Sequence, residues 1–319
     1  MDGEVFDRPG TCPVCKMKLI PRAGALSSGL NTGSGSFHIA GGKGQEHKRI
    51  TVHFYKPNAF TPRSQILIVV AGTGRNAHDY RDAWMEAAEA CNLLVLSPSY
   101  AERDYDFAAY QMGGVIQNLQ FPRTASSQPG VIKLRDEDIR FDLNSNRDEW
   151  LFNDFDRLFT DAVIATSSEQ TSYDLFGHSA GGQILHRLAL FQRTSKARRI
   201  LACNSGFYTL PDFNTAQPFG LKNTPVTEAD LRVAFQREII IGVGAADNSD
   251  ESGGIQLHTP LADAQGRNRL DRGRYFFEFS RRTAEAMGTR FNWRIQVVAG
   301  VGHEYIGMSR AFVEQICRR

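Results

Sequence analysis

The sequence lacks several features that define other classes of protein. No apolar run in its 319 residues approaches the roughly 20 residues that a membrane-spanning helix needs. No basic block stands out either, because 37 basic and 35 acidic residues are spread along the chain and leave a net charge of +2. We therefore expect a soluble protein with no transmembrane segment and no nucleic-acid partner.

Cysteine is also scarce, with five residues in all, and only Cys12 and Cys15 lie close together. Small secreted domains pair cysteines densely, so we expect no disulfide framework here, and buried thiols at Cys91, Cys203 and Cys317. The start, MDGEVFDRPG, does not have the basic-then-apolar pattern of a secretory signal. The expected compartment is cytoplasmic, or extracytoplasmic with a signal already removed.

Apolar runs and helical patterns alternate from residue 49 to the C-terminus. Most runs are continuously apolar, as in parallel strands buried on both faces. This alternation predicts an α/β protein, a three-layer sandwich with a mostly parallel central sheet. The predicted strands are 50–55, 66–70, 93–97, 173–176, 199–204, 239–243 and 295–299, and the predicted helices are 81–91, 149–165, 182–192, 275–287 and 309–319.

The segment YDLFGHSAGG places Ser179 between Gly177 and Gly181, where a predicted strand ends and a helix begins. In α/β sheets, ligands bind beyond the carboxyl ends of the strands. Gly-x-Ser-x-Gly at such a junction is typical of a nucleophile elbow, in which the serine has a strained backbone and its neighbours must be small. We predict that Ser179 is a nucleophile; the alternative is a serine in an ordinary glycine-rich turn.

A nucleophilic serine needs a histidine base, and that histidine needs a carboxylate, each after a later strand. Asp247 follows the predicted strand 239–243, and His303 follows 295–299, in the required order. We therefore predict a triad of Ser179, Asp247 and His303. The competing residues are Asp250 and Glu251 for the acid, and His178 and His186 for the base.

The loop after strand 66–70 reads AGTGRN. Acyl transfer passes through a tetrahedral oxyanion, which the N–H after the nucleophile and an N–H from such a loop can bind. These oxyanion-hole donors would be Ala180 and Thr73. The spacing does not separate Thr73 from Gly74.

With these residues in place, the chain from about 50 to 319 resembles the α/β-hydrolase superfamily, and within it the esterases related to polyhydroxyalkanoate depolymerases and feruloyl esterases. The resemblance rests on AGTGRNAHDYRDAW, FGHSAGGQILHRLAL, GAADNSD and VAGVGHEY. It implies the α/β-hydrolase fold and a serine esterase. The predicted triad itself needs no cofactor. In one departure, Ala71-Gly72 stands where a His-Gly start is common.

We divide the chain into a cysteine-containing stub (1–21), a Gly/Ser-rich linker (22–48) and a catalytic domain (49–319). Two insertions, near 101–147 and 206–235, carry aromatic residues that either line an acyl or aryl pocket or only pack the insertions onto the domain. These residues are Tyr105, Phe107, Tyr110, Phe121, Phe207, Tyr208, Phe213 and Phe219.

The stub sequence DRPGTCPVCKMKLIPR resembles the second half of a heavy-metal-binding domain. A Cys-x-x-Cys turn can place two thiolates on one soft metal, which would make Cys12 and Cys15 ligands of a metal such as zinc. A closed zinc site needs four ligands, and His38 and His47 in the linker could complete it. We favour a disulfide or an empty remnant over a filled site.

The leading hypothesis is a serine esterase that forms an acyl-enzyme intermediate on a small-molecule or polymeric ester, polyesters and aryl esters included. One alternative is a peptidase or thioesterase with the same triad. Another is a metal-binding protein that uses Cys12 and Cys15 and carries an inactive hydrolase scaffold. The oligomeric state stays open.

Overall fold

The computed structural model describes residues 29–122, 130–249 and 253–318. The strands are β1 Gly33–Ala40, β2 Arg49–Lys56, β3 Gln65–Val70, β4 Leu93–Ser99, β5 Ile116–Gln120, β6 Val131–Lys133, β7 Arg140–Leu143, β8 Tyr173–His178, β9 Ala197–Cys203, β10 Glu238–Gly244, β11 Gln256–His258 and β12 Arg294–Val298. The α-helices are α1 Ala77–Asp82, α2 Met85–Cys91, α3 Phe107–Tyr110, α4 Phe152–Thr166, α5 Ala180–Phe191, α6 Glu228–Gln236, α7 Pro260–Ala264, α8 Arg269–Ala286 and α9 Tyr305–Cys317.

The main sheet has eight strands in the order β1-β2-β4-β3-β8-β9-β10-β12. Strand β2 runs antiparallel to both of its neighbours, and the other pairs are parallel. All seven predicted strands lie in this sheet, which confirms the prediction of a mostly parallel α/β sandwich. Because most strands point the same way, their carboxyl ends meet at one edge, and the loops of interest lie there.

Alternate residues of the buried strands face the two sides of the sheet. In β3, Ile66, Ile68 and Val70 pack with α4, α5, α6 and α8, whereas Leu67 and Val69 pack with α1, α2 and α9. Every residue of α5 is buried. The helix that follows Ser179 is therefore held on all sides by the core.

The predicted helix 81–91 is two short helices. The helix is interrupted between α1 and α2. This interruption places the buried Trp84 edge-on against Phe176 of β8. Part of the predicted linker is a strand instead, because residues 33–40 form β1, paired along their whole length with β2. Phe37 and Ile39 alternate inward and are buried, a two-residue pattern that the surrounding glycine and serine conceal.

The prediction of free thiols is confirmed for Cys203, which is buried and unpaired. It is wrong for Cys91 and Cys317, which form a disulfide with their Cα atoms 5.5 Å apart. Cys91 ends α2 and Cys317 ends α9, and these two helices pack on the same face of the sheet. Their separation of 226 residues hides the pairing in the sequence.

Two small sheets lie outside the main one. Strands β5 and β7 pair antiparallel, and β6 and β11 pair parallel. Their apolar side chains pack with α3 and with Phe207 and Phe219. Among the helices in the described ranges, none has the length and apolar character needed to cross a membrane.

Candidate active site

The backbone at the β8–α5 junction forces Ser179 into an unusual conformation. Ser179 has φ 58° and ψ −117°, a region that non-glycine residues rarely adopt and that costs on the order of 1–3 kcal/mol. The residues two positions away on either side must be glycine. A Cβ on Gly177 would lie 2.6 Å from the backbone of Gly181, and one on Gly181 would lie 2.1 Å from the Val70 carbonyl oxygen. The sequence Gly-x-Ser-x-Gly therefore folds as a tight turn that projects Ser179 beyond the sheet.

The structure brings Ser179, His303 and Asp247 together from three separate loops. The Ser179 Oγ lies 3.0 Å from His303 Nε2, and His303 Nδ1 lies 2.9 Å from an oxygen of Asp247. Asp247 follows β10 and His303 follows β12. Because Nδ1 faces a carboxylate, Nδ1 is the nitrogen that carries the proton, and Nε2 is the nitrogen that accepts from the serine hydroxyl.

Asp247 is 1% exposed, and its carboxylate is held from several sides. Besides His303, Asn204 Nδ2 donates to one oxygen at 2.6 Å and Arg269 donates to the other at 2.9 Å. Burial by itself raises the pKa of Asp247, but the hydrogen bonds and charges of His303 and Arg269 outweigh it and leave the pKa lowered. The carboxylate is thus kept ionised beside the imidazole.

The two histidines that compete for the role of base are held neutral. Burial, together with the neighbouring His303, lowers the pKa of His178 well below its ordinary value, and its Nδ1 lies 3.2 Å from the Tyr80 hydroxyl. Burial and Arg187 do the same to the pKa of His186. His186 Nε2 accepts from the Thr209 amide at 3.0 Å. These contacts tie His178 to Tyr80 and His186 to the Thr209 amide, whereas His303 faces the Ser179 hydroxyl.

The loop after β3 packs directly against the serine. A Cβ on Gly72 would lie 3.3 Å from Ser179 Cβ and 2.8 Å from the Tyr80 hydroxyl. The Gly72 carbonyl accepts from the Arg75 amide at 3.1 Å. Thr73 follows and lines the pocket in front of Ser179, while Ala180 is the first residue of α5. Ala180 thus directly follows Ser179 in the chain, and Thr73 lines the same pocket as Ser179.

An apolar pocket of about 120 Å³ opens beside Ser179. Its walls come from the small sheets and the insertions, with Gln111 and Gln183 as polar members. Arg187 lies behind these two residues and donates to both of their carbonyl oxygens at 3.0 Å. The apolar lining residues are Phe107, Ile116, Leu119, Phe121, Ile132, Leu134, Ile139, Phe207, Pro218, Ile255 and Leu257.

The predicted aromatic residues divide between pocket and core. Phe107, Phe121 and Phe207 line the pocket. Tyr105, Tyr110 and Tyr208 are buried in the core instead, and Phe219 packs behind Phe207 with ring centroids 5.3 Å apart. Phe213 is exposed. Spacing in the sequence does not separate these groups, because both kinds of position are apolar.

Two buried residues that support Asp247 are not identified by the sequence analysis. Asn204 directly follows β9, a position at the carboxyl edge that could have drawn attention. Arg269 begins α8, away from any strand end, and carries no such signal. The competing acids Asp250 and Glu251 lie outside the described residues.

The predicted metal ligands Cys12 and Cys15 also lie outside the described residues. His38 lies within β1, where its Nδ1 is 3.1 Å from the Thr51 hydroxyl. In the described part of the chain, no group of three or more histidine, cysteine, aspartate or glutamate side chains is placed to hold a metal ion.

Comparisons with known proteins place the chain in a family. A poly(aspartic acid) hydrolase from Sphingomonas sp. KT-1 is 31% identical over 91% of this chain and all of its own, with a TM-score of 0.78. The chain belongs to the α/β-hydrolase superfamily. A poly(3-hydroxybutyrate) depolymerase from Bordetella parapertussis is similar to this α/β-hydrolase at 29% identity, over 89% of each chain, with a TM-score of 0.75.

More distant structures share the fold of this α/β-hydrolase. A siderophore hydrolase from Aspergillus nidulans, at 11% identity, covers 92% of the chain and 97% of its own with a TM-score of 0.52. A family model of the heavy metal binding domain matches residues 1–22, which agrees with the resemblance of the stub. No curated protein sequence gives a significant match.

Proposed function

We propose that this α/β-hydrolase is a serine esterase that cleaves carboxylic esters through an acyl-enzyme intermediate. Ser179 Oγ attacks the ester carbonyl while His303 Nε2 takes its proton, and Asp247 holds the imidazole and stabilises its charged form. The Ala180 and Thr73 amides donate to the oxyanion. His303 then protonates the leaving alcohol, and water deprotonated by His303 releases the acid.

The observation that carries this proposal is the unbroken path of hydrogen bonds from Ser179 to Asp247, with both distances at or below 3.0 Å. A strained serine backbone, two obligatory glycines and two neutral neighbouring histidines support it. No residue of this path needs a metal ion in its proposed role, so we propose that catalysis requires no cofactor.

The pocket favours a short, uncharged acyl group. At about 120 Å³ it is slightly smaller than an engineered apolar cavity of about 150 Å³ that binds benzene. A charged side chain, such as that of an aspartate unit, would be desolvated here without a countercharge among the described lining residues. We therefore favour esters or polyesters with small apolar acyl units over a poly(aspartate) substrate.

A fluorophosphonate probe tests the nucleophile. We expect the wild type to become labelled and to hydrolyse p-nitrophenyl butyrate, because Ser179 is activated by His303. Ser179→Ala should lose the label and lower kcat by about 10⁴-fold or more. Ser36→Ala, an exposed serine on β1, is the matched control and should behave as wild type. A wild-type protein that neither labels nor cleaves the ester would contradict the proposal.

The same assay separates the alternatives. Amide and thioester analogues with the same butyryl group report peptidase or thioesterase activity through the same residues. Metal binding at Cys12 and Cys15 stays a prediction, supported by the family match to residues 1–22. Zinc content of the purified chain, compared with Cys12→Ser/Cys15→Ser, tests it independently of ester turnover.

A further inference from the structure

Arg269 joins the candidate triad to the wall of the substrate pocket. It is 2% exposed and donates through one guanidinium nitrogen to Asp247 at 2.9 Å. Through the other it donates to the carbonyls of Gly253 at 2.9 Å and Ile255 at 3.1 Å. The planar guanidinium of Arg269 thus bonds both the acid of the candidate triad and the backbone of residues 253–255.

That segment, residues 253–255, touches both the base and the pocket. Gly254 has φ +70°, and a Cβ there would lie 2.8 Å from His303 Cδ2 and 2.9 Å from His303 Nε2. Its backbone therefore packs on the imidazole edge. Ile255 lines the pocket together with Ser179. An acyl group in the pocket would contact Ile255. Ile255 is the sequence neighbour of Gly254, which packs on the imidazole that transfers the proton.

Arg272 provides a comparison within the same helix. It is 1% exposed and donates to the carbonyls of Leu257 and Gly206, and to Asp263. It therefore holds the next part of the same wall, with no bond to Asp247 among its contacts. The two buried arginines differ chiefly in whether they also bond the triad.

We propose that Arg269 is a positioning residue that couples occupancy of the acyl pocket to the alignment of Asp247 and His303. This inference rests on the proposed function. An acyl group that fills the pocket restricts the motion of Ile255. Because the Arg269 guanidinium bonds both the Ile255 carbonyl and Asp247, it then also restricts the carboxylate that holds the imidazole. In the wild type, kcat should therefore be higher for butyryl than for acetyl esters, in addition to any decrease in KM.

The test compares Arg269→Lys with Arg272→Lys on p-nitrophenyl acetate and butyrate. A lysine ammonium cannot reproduce a planar fork that bonds a carboxylate on one side and two carbonyls on the other. We expect Arg269→Lys to lower kcat for butyrate by about 10²-fold and to abolish its advantage over acetate. Arg272→Lys should raise KM and keep the dependence of kcat on acyl length.

Ile255→Ala covers the case in which Arg269→Lys folds poorly. Ile255 is 51% exposed, so the variant should keep the wild-type melting temperature, yet it should lose the rise in kcat with acyl length. The inference is overturned if that rise survives in either Arg269→Lys or Ile255→Ala, or if Arg272→Lys abolishes it equally.

A second readout does not depend on turnover. The proton between His303 Nδ1 and Asp247 should give a low-field NMR signal in the wild type and in Arg272→Lys, and a shifted or absent signal in folded Arg269→Lys. An unchanged signal in Arg269→Lys would contradict the coupling. Absence of wild-type esterase activity would instead contradict the proposed function, so the two failures are distinguishable.

Discussion

At the scale of single residues, the candidate site depends on the hydrogen bonds that keep one buried carboxylate ionised. Asp247 is nearly fully buried, which would favour its neutral form, but His303, Asn204 and Arg269 each donate a hydrogen bond to it. The order serine, acid, histidine could be predicted because each residue follows an apolar strand. Arg269 could not, because a helix-borne residue acquires its role only from three-dimensional packing.

The lowered pKa of Asp247 predicts a pH-dependent contribution to stability. Since its pKa in the folded state lies below the unfolded value of about 3.9, the stabilisation is complete above that value and is lost as pH falls through the folded pKa. Asp247→Asn removes this contribution. The wild type should therefore exceed the variant in free energy of unfolding at pH 6, and the difference should shrink below about pH 4.

Urea unfolding at pH 6, 5 and 3.5 measures that difference, and kcat for p-nitrophenyl butyrate at pH 7 provides the functional reading. Asp247→Asn should lower kcat by about 10⁴-fold, because an amide favours the wrong imidazole tautomer. A stability difference that stays constant from pH 6 to 3.5 would show that the carboxylate is not the group concerned.

At the scale of elements, the strand–serine–helix unit is fixed by close backbone contacts, whereas the pocket walls are fixed by side-chain packing and by hydrogen bonds from Arg269 and Arg272 to backbone carbonyls. The parallel strands were predictable because burial on both faces demands continuous apolar runs such as ILIVV. Strands β5, β6, β7 and β11 were not, because they are short, lie partly exposed over the pocket and have no such pattern. The extent of the pocket therefore could not be predicted, although its aromatic members Phe107, Phe121 and Phe207 were among the candidates.

Gly181→Ala tests the backbone contact in the elbow. The added Cβ would meet the Val70 carbonyl oxygen at 2.1 Å, and neither backbone can move without displacing β3 or α5. We expect a lower melting temperature and loss of fluorophosphonate labelling. Ala189→Gly, in the same buried helix, is the control: it costs about 1 kcal/mol or somewhat more and keeps the label. Full labelling of Gly181→Ala would contradict the tight turn.

At the scale of the whole molecule, the Cys91–Cys317 disulfide closes most of the chain into one loop. It joins the end of α2 to the end of α9, the helix that begins just after His303. Cross-links over long loops remove conformational freedom from the unfolded chain and typically contribute about 2–4 kcal/mol. Sequence could not predict this pair, since three distant cysteines in apolar segments allow several pairings or none.

Replacing both partners by alanine, Cys91→Ala/Cys317→Ala, should lower the melting temperature by on the order of 5 °C or more. Reductant should produce the same shift in the wild type and no shift in the double variant, which leaves only the buried Cys203 among the described cysteines. Calorimetry measures both. Equal melting temperatures for all four samples would mean that the cross-link does not restrain the unfolded chain.

Strand β1 determines where the preceding segment joins the folded domain. Gly33 pairs with Lys56, Lys56 bonds the Leu30 carbonyl, and both lie at the amino ends of the parallel strands. Ser179 stands at the opposite edge, after the carboxyl end of β8. A surface or carrier attached at residue 29 would therefore hold the domain by its far side. An immobilised form made through that point would keep Ser179 on the side of the domain that lies away from the support.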